Sequence, residues 1–119
     1  RSLQVTGIAA NAFKGNKKMT SVTIGSNVKK IGSGAFMNCR NLTRVTVTAK
    51  GLTSIGKNAF KGDRKLKTVN LRKVKALKKV GKGAFKGISK KVTVKVPKQK
   101  KKAYSKLLKK AGIAAGRIK

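Results

Sequence analysis

The sequence predicts an α/β repeat solenoid: a short right-handed coil of parallel β-strands, tight or single helical turns, and a C-terminal capping helix. Three observations carry this. All four phenylalanines, Phe13, Phe36, Phe60 and Phe85, sit in Ala-Phe dipeptides separated by 23, 24 and 25 residues. Aliphatic side chains keep fixed offsets from each of them. Beyond the single proline, Pro97, the apolar period changes from strand-like to helical. A period of roughly 20–29 residues marks a coil in which each turn buries its apolar face against the next.

Each element follows from these offsets. Five residues before the Phe stand Ile8, Ile31, Ile55 and Val80, and three before those stand Val5, Val28, Leu52 and Leu77. Segments such as "VKKIG" therefore form a short extended piece. "GAFMN" and "NAFKG" are rich in Gly and Asn, too short for more than a turn of helix. Six residues past the Phe come Met19, Leu42 and Leu66; nine past come Val22, Val45, Val69 and Val94; eleven past come Ile24, Val47, Leu71 and Val96. "TSVTI", "TRVTV", "KTVNL" and "TVKV" alternate apolar with polar residues and are rich in Val and Thr, as strands with one buried face are. Equivalent strands should stack in parallel at about 4.8 Å, with the phenylalanines as an internal aromatic ladder. Pro97 ends the last strand because it cannot donate to a ladder. In "KQKKKAYSKLLKKAGI", Ala103, Tyr104, Leu107, Leu108 and Ala111 share a helical face opposite lysines, and Gly112 is the stop. This helix covers the open end of the core; a basic amphipathic helix on anionic membranes is the alternative. "AAGRIK" adds an extended edge piece.

"IGSGAFMNCRNLTRVTV" (Ile31 to Val47) and "IGKNAFKGDRKLKTVNL" (Ile55 to Leu71) resemble the leucine-rich repeat in the variant named for the BspA surface antigen. That pattern reads roughly I-G-x-x-A-F-x-G-C-x-x-L-x-x-V-x-I. Asn38 replaces its usual Gly, and Asp63 takes the cysteine position. The resemblance covers about residues 5–97 as four repeats (about 5–27, 28–51, 52–76 and 77–97), leaving 98–119 as a basic capping helix and tail. In the fourth copy Lys91 stands where Leu belongs and Val92 lies one place later, so that turn should be distorted. The resemblance implies a bacterial cell-surface or secreted protein serving adhesion and host contact. It also supports the cap, since the family often closes with a Lys-rich, Tyr-Leu-Leu tail.

Composition narrows the chemistry. The 119 residues hold 33 Lys and Arg, one acidic residue, one cysteine and no histidine, for a formal charge of +32. Acid–base dyads, metal sites and Ser-His-Asp arrangements have no residues to build them. A lysine nucleophile alone remains, and it needs an apolar pocket to depress its pKa. The reading is therefore a non-enzyme, with no cofactor, metal or small-molecule substrate. Asn16, Cys39 and Asp63 share a slot three residues after the Phe, and Ile88 fills it in the last repeat. Asp63 is expected to accept backbone N–H groups at its turn. Cys39 is expected to be a small buried apolar group, with an intermolecular disulfide or an oxidisable thiol as its alternatives.

The charge points to polyanions: nucleic acid, glycosaminoglycan such as heparin-like glycans, teichoic acid or anionic membrane. Bases fall into ladders. Lys14, Lys61 and Lys86 follow the Phe; Lys17, Lys18, Arg40, Arg64, Lys65 and Lys90 cluster on the next turn; Lys29, Lys30, Lys78 and Lys79 sit in the "VKKIG"-type extended piece; Arg44, Arg72 and Lys95 charge the strand face. All of these but Lys90 are the candidate binding residues. With four of five aromatics assigned to the core, only Tyr104 is left to stack on bases, so binding should be non-specific. Such charge also suits uptake into cells. The alternative is a structural or adhesin module that binds a host or bacterial protein on its Thr-rich sheet face (Ser21, Thr23, Thr46, Thr68, Asn70, Thr93), the charge being incidental. No signal peptide and no run of 18 apolar residues occurs, and a start at Arg1 reads as a fragment or processed form.

Overall fold

The computed structural model describes residues 6–119, so Val5 lies outside the described residues. The chain coils four times and lends one strand per coil to each of two four-stranded sheets. The first sheet stacks β1 (Gly7–Ile8), β3 (Lys30–Ile31), β5 (Ser54–Ile55) and β7 (Lys79–Val80) in that order. The second stacks β2 (Ser21–Ile24), β4 (Arg44–Val47), β6 (Thr68–Asn70) and β8 (Thr93–Lys95). All pairings are parallel, and the register joins equivalent residues: Ile8 with Ile31, Ile55 and Val80, and Val22 with Val45, Val69 and Val94. Parallel pairing of adjacent strands needs a long crossover between them. One whole coil supplies it.

Between the sheets lies one apolar core. Phe36, Phe60 and Phe85 are fully buried in it. Successive rings stack at centroid distances of 5.3, 5.2 and 5.2 Å, with interplanar angles of 13°, 3° and 5°. Such spacing is that of stacked aromatic pairs. Phe13 joins the stack but is 40% exposed, which corrects its assignment to the core: no described turn lies on its outer face.

The Ile-Gly dipeptides have a steric cause that their recurrence alone does not disclose. A Cβ on Gly56 would lie 2.5 Å from Ser33 N and 2.6 Å from Gly32 C, in the preceding coil. Gly32 and Gly81 meet backbone in the same way. The backbones approach so closely here that no side chain fits between them. Position 9, the first-coil equivalent, is Ala and exposed, with no described coil stacked above it. Asn and Gly share the left-handed positions for a related reason. Asn11, Gly34, Asn58 and Gly83 occupy one column at φ 59°, 65°, 57° and 71°. Asn11 and Asn58 each lay Oδ1 where the Gly of the next coil would carry a Cβ, so a side chain there would have to displace the asparagine as well as adopt a positive φ.

The fourth coil is locally shifted. Leu42 N donates to Cys39 O and Leu66 N to Asp63 O, and the matching bond runs from Val92 N to Ser89 O. Ser89, not Ile88, therefore fills the slot. One extra residue follows Phe85 and one fewer precedes β8, so β8 regains register. Ser89 Oγ accepts from Lys91 N, as Asn16 Oδ1 accepts from Lys18 N.

Past β8 the chain passes through buried Pro97 and a 3-10 turn at Lys98–Lys100 into α1 (Lys101–Lys110). Tyr104, Leu108 and Ala111 are buried, Leu107 is half-buried, and Ala103 is exposed, contrary to its expected place on the apolar face. Phe85 N donates to Ala111 O at 2.9 Å, so the helix end stands where a fifth coil would stack. Gly112 stops the helix at φ 113°. The tail folds back through a second 3-10 turn, and Ile118 bridges Val94 in parallel. Tyr104 is buried rather than free to stack on a ligand. Its hydroxyl donates to Val74 O at 2.8 Å and accepts from Leu77 N at 3.2 Å.

Candidate polyanion-binding surface

The coil turns sequence offsets into columns, and the columns differ in continuity. On the edge after the aromatic turn, the residue following the slot is Lys17, Arg40, Arg64 and Lys90 in successive coils, all exposed. This column carries one cation per coil without a gap. The sequence groups Lys90 with this turn, and the Val92–Ser89 bond gives it the column position, one residue further from its Phe than the others. Beside it run Lys18, Asn41, Lys65 and Lys91. Asn41 Nδ2 donates to Lys17 O at 2.7 Å, and Lys65 Nζ donates to Asn41 Oδ1 at 3.2 Å. The asparagine thus ties neighbouring coils together within a row of bases.

Other ladders are interrupted. Gly15 N donates to Met37 O and Asn38 N to Lys61 O, so Met37 separates Lys14 from Lys61, while Lys86 follows directly. Lys30 pairs with Ser54, which pairs with Lys79. Thr53 lies likewise between Lys29 and Lys78: its N–H donates to Lys29 O and its carbonyl accepts from Lys78 N. On the second sheet the outward rows are Ser21–Arg44–Thr68–Thr93 and Thr23–Thr46–Asn70–Lys95. Arg44 and Lys95 are the only bases in those rows. Arg72 leaves this face: its N–H bonds Asn70 Oδ1 in the turn after β6, and it lines a cleft with Lys75, Lys98 and Lys119. Thr43, Thr48 and Thr53 point their hydroxyls at carbonyls of the preceding coil, so they staple coils rather than present a face.

The lone acid and the lone thiol are both fully buried, one coil apart. Asp63 Oδ1 accepts the Cys39 N–H at 2.8 Å, a donor in the preceding coil and not in its own turn, where the sequence placed it. Arg64 and Lys65 beside it are exposed. Burial pushes the Asp63 carboxyl up to about 8, against the lowering effect of the Cys39 amide. Burial also pushes the Cys39 thiol up to about 11; the Asp63 charge adds to this and the Asn16 backbone opposes it. Cys39 Sγ donates to Phe13 O at 3.2 Å. Neither group faces solvent, and a protonated buried thiol is inert. Among the described residues no three His, Cys, Asp or Glu side chains gather as a metal would require.

A family model described as a BspA-type leucine-rich repeat region of six copies matches residues 2–114. The chain belongs to the BspA-type leucine-rich repeat family. Its parallel coil, with one Ala-Phe per turn, is the physical form of that repeat. No curated protein and no solved structure matches the chain. The BspA-type repeat is thus the frame on which the basic columns are mounted, and such repeats serve typically as binding or structural modules.

Proposed function

We propose that this repeat domain is a non-enzymatic binding module of a bacterial surface or secreted protein that engages linear polyanions through its basic columns. The observation that carries this is the unbroken, exposed column Lys17–Arg40–Arg64–Lys90. Strand-like stacking spaces its members at about 4.8 Å, so a charged polymer lying along the solenoid axis meets a cation at every coil. Each anion neutralised releases a counterion, which makes the affinity steeply salt-dependent. Tyr104 is buried and half-exposed Phe13 is a single ring stacked on Phe36, short of the succession of aromatics on which bases stack, so the reading is backbone-type recognition without sequence preference.

Binding to duplex DNA and to heparin across a salt series tests this. Replacing Lys17, Arg40, Arg64 and Lys90 by Gln should lower the log–log slope on DNA by about 3–4, at roughly 0.9 per phosphate contact. A control lacking four bases outside the columns, Lys50, Lys73, Lys102 and Lys106, should lose less. Equal losses would reassign binding to the general field of the chain. Absence of binding at physiological salt would remove the polyanion reading and favour a protein partner on the hydroxyl rows of the second sheet.

A further inference from the structure

Two buried oxygens in the middle of the solenoid lack a hydrogen. Asp63 Oδ2 is buried with no hydrogen-bond partner. The Phe36 carbonyl receives no backbone N–H among the described residues, although its equivalents do: Asn16 N donates to Phe13 O and Asp63 N to Phe60 O. The donor that would serve Phe36 is the Cys39 N–H, and Asp63 Oδ1 has taken it at 2.8 Å. The coil above shows how a slot side chain reaches this carbonyl position. Cys39 Sγ, in the same slot one coil earlier, donates to Phe13 O at 3.2 Å. Asp63 stands to Phe36 as Cys39 stands to Phe13.

We propose that Asp63 is held as a neutral acid whose Oδ2–H donates to the Phe36 carbonyl, so that one bound proton latches the second and third coils together. The carboxyl then accepts from Cys39 N and donates to Phe36 O, and both orphan oxygens are satisfied. An ionised carboxylate would instead set its charge beside an unpaired carbonyl oxygen in a water-free site, which is strongly unfavourable. Cys39 is the titratable group in contact with Asp63. Arg40, Arg64, Lys65 and Lys90, on the same edge, are exposed and make no ion pair with it. The raised carboxyl pKa, about 8, agrees with this arrangement.

The latch has a pH consequence. A carboxyl whose folded pKa exceeds its unfolded value of 3.8 stabilises fully below that value, and the contribution drains away as pH rises to about 8. The chain contains no histidine, so little else titrates between pH 5 and 8. Asparagine reproduces the neutral acid's acceptor oxygen and its donor, with one further N–H, and Asn16 already occupies this slot in the first coil.

The test uses the single aspartate. Labelling with side-chain ¹³C aspartate gives one carboxyl signal, which should titrate well above pH 6; titration near pH 4 would overturn the proposal. Unfolding is then measured at pH 5 to 9 for the wild type and Asp63→Asn. The folding constant of the wild type relative to the variant should fall by roughly five-hundredfold between pH 5 and 8. A pH-independent difference between the two would overturn the latch. So would an Asp63→Asn variant as unstable at pH 5 as Asp63→Ala. Because the carboxyl signal is read on the wild type, a variant that does not fold leaves the first measurement decisive.

Discussion

Replacing Gly56 by alanine probes the closest approach between coils. The new Cβ would lie 2.5 Å from Ser33 N, 2.6 Å from Gly32 C and 2.8 Å from Ser33 Cα, where ordinary contact is 3.4–4 Å. The neighbours are backbone, so the second and third coils must part locally by about 1 Å. Three inter-coil bonds bracket the site: Gly56 N to Ile31 O at 2.7 Å, Thr53 N to Lys29 O at 2.8 Å and Gly34 N to Lys57 O at 2.9 Å. Losing all three costs about 3 kcal/mol, at roughly 1 each. The lower entropy of the unfolded alanine chain returns about 0.4–1 kcal/mol. The expected net loss is about 1.5–3 kcal/mol, read as a lowered denaturant midpoint at unchanged slope. Gly51→Ala is the control, since nothing lies within 4 Å of a Cβ there and its φ is not positive. It should be neutral or slightly stabilising. If the two variants unfold within about 0.5 kcal/mol of each other, close backbone approach is not why the Ile-Gly dipeptide recurs.

Two further outcomes follow from charge and burial. Repulsion among bases stacked one coil apart is screened by salt, so the denaturant midpoint should rise between low and high ionic strength; an unchanged midpoint would mean that the columns cost the fold nothing. Cys39 should resist alkylation until the protein unfolds. A thiol pKa of about 11 against 9.0 leaves about a hundredfold less thiolate at neutral pH, before burial slows access further. Modification of the native protein at the rate of a free thiol would contradict the buried slot.

Much of the fold could be read from the chain because a coil of fixed pitch forces chemically similar residues into columns. The Val and Ile rows and the Phe stack are patterns repeated at one period, and the break at Pro97 and the capping face of Tyr104 and Leu108 are local patterns that end it. What lay beyond reach depends on neighbours some two dozen residues away. Ser89 takes the slot because the backbone absorbs an extra residue after Phe85 and recovers it before β8, and only the Val92–Ser89 bond reveals it. That shift also completes the Lys17–Arg40–Arg64–Lys90 column. Counting from the phenylalanine can place a base on a turn, yet it cannot tell whether the coil above offers another base, as at Arg64, or Met37, as beside Lys14. Asp63 reads as the cap of its own turn, because Asp and Asn commonly bond there. Its partner is instead the amide of the preceding coil, and the closing of coil upon coil removes it from water. Contact between coils, and the dry space it creates, sets the protonation of the one acid and leaves the bases outside.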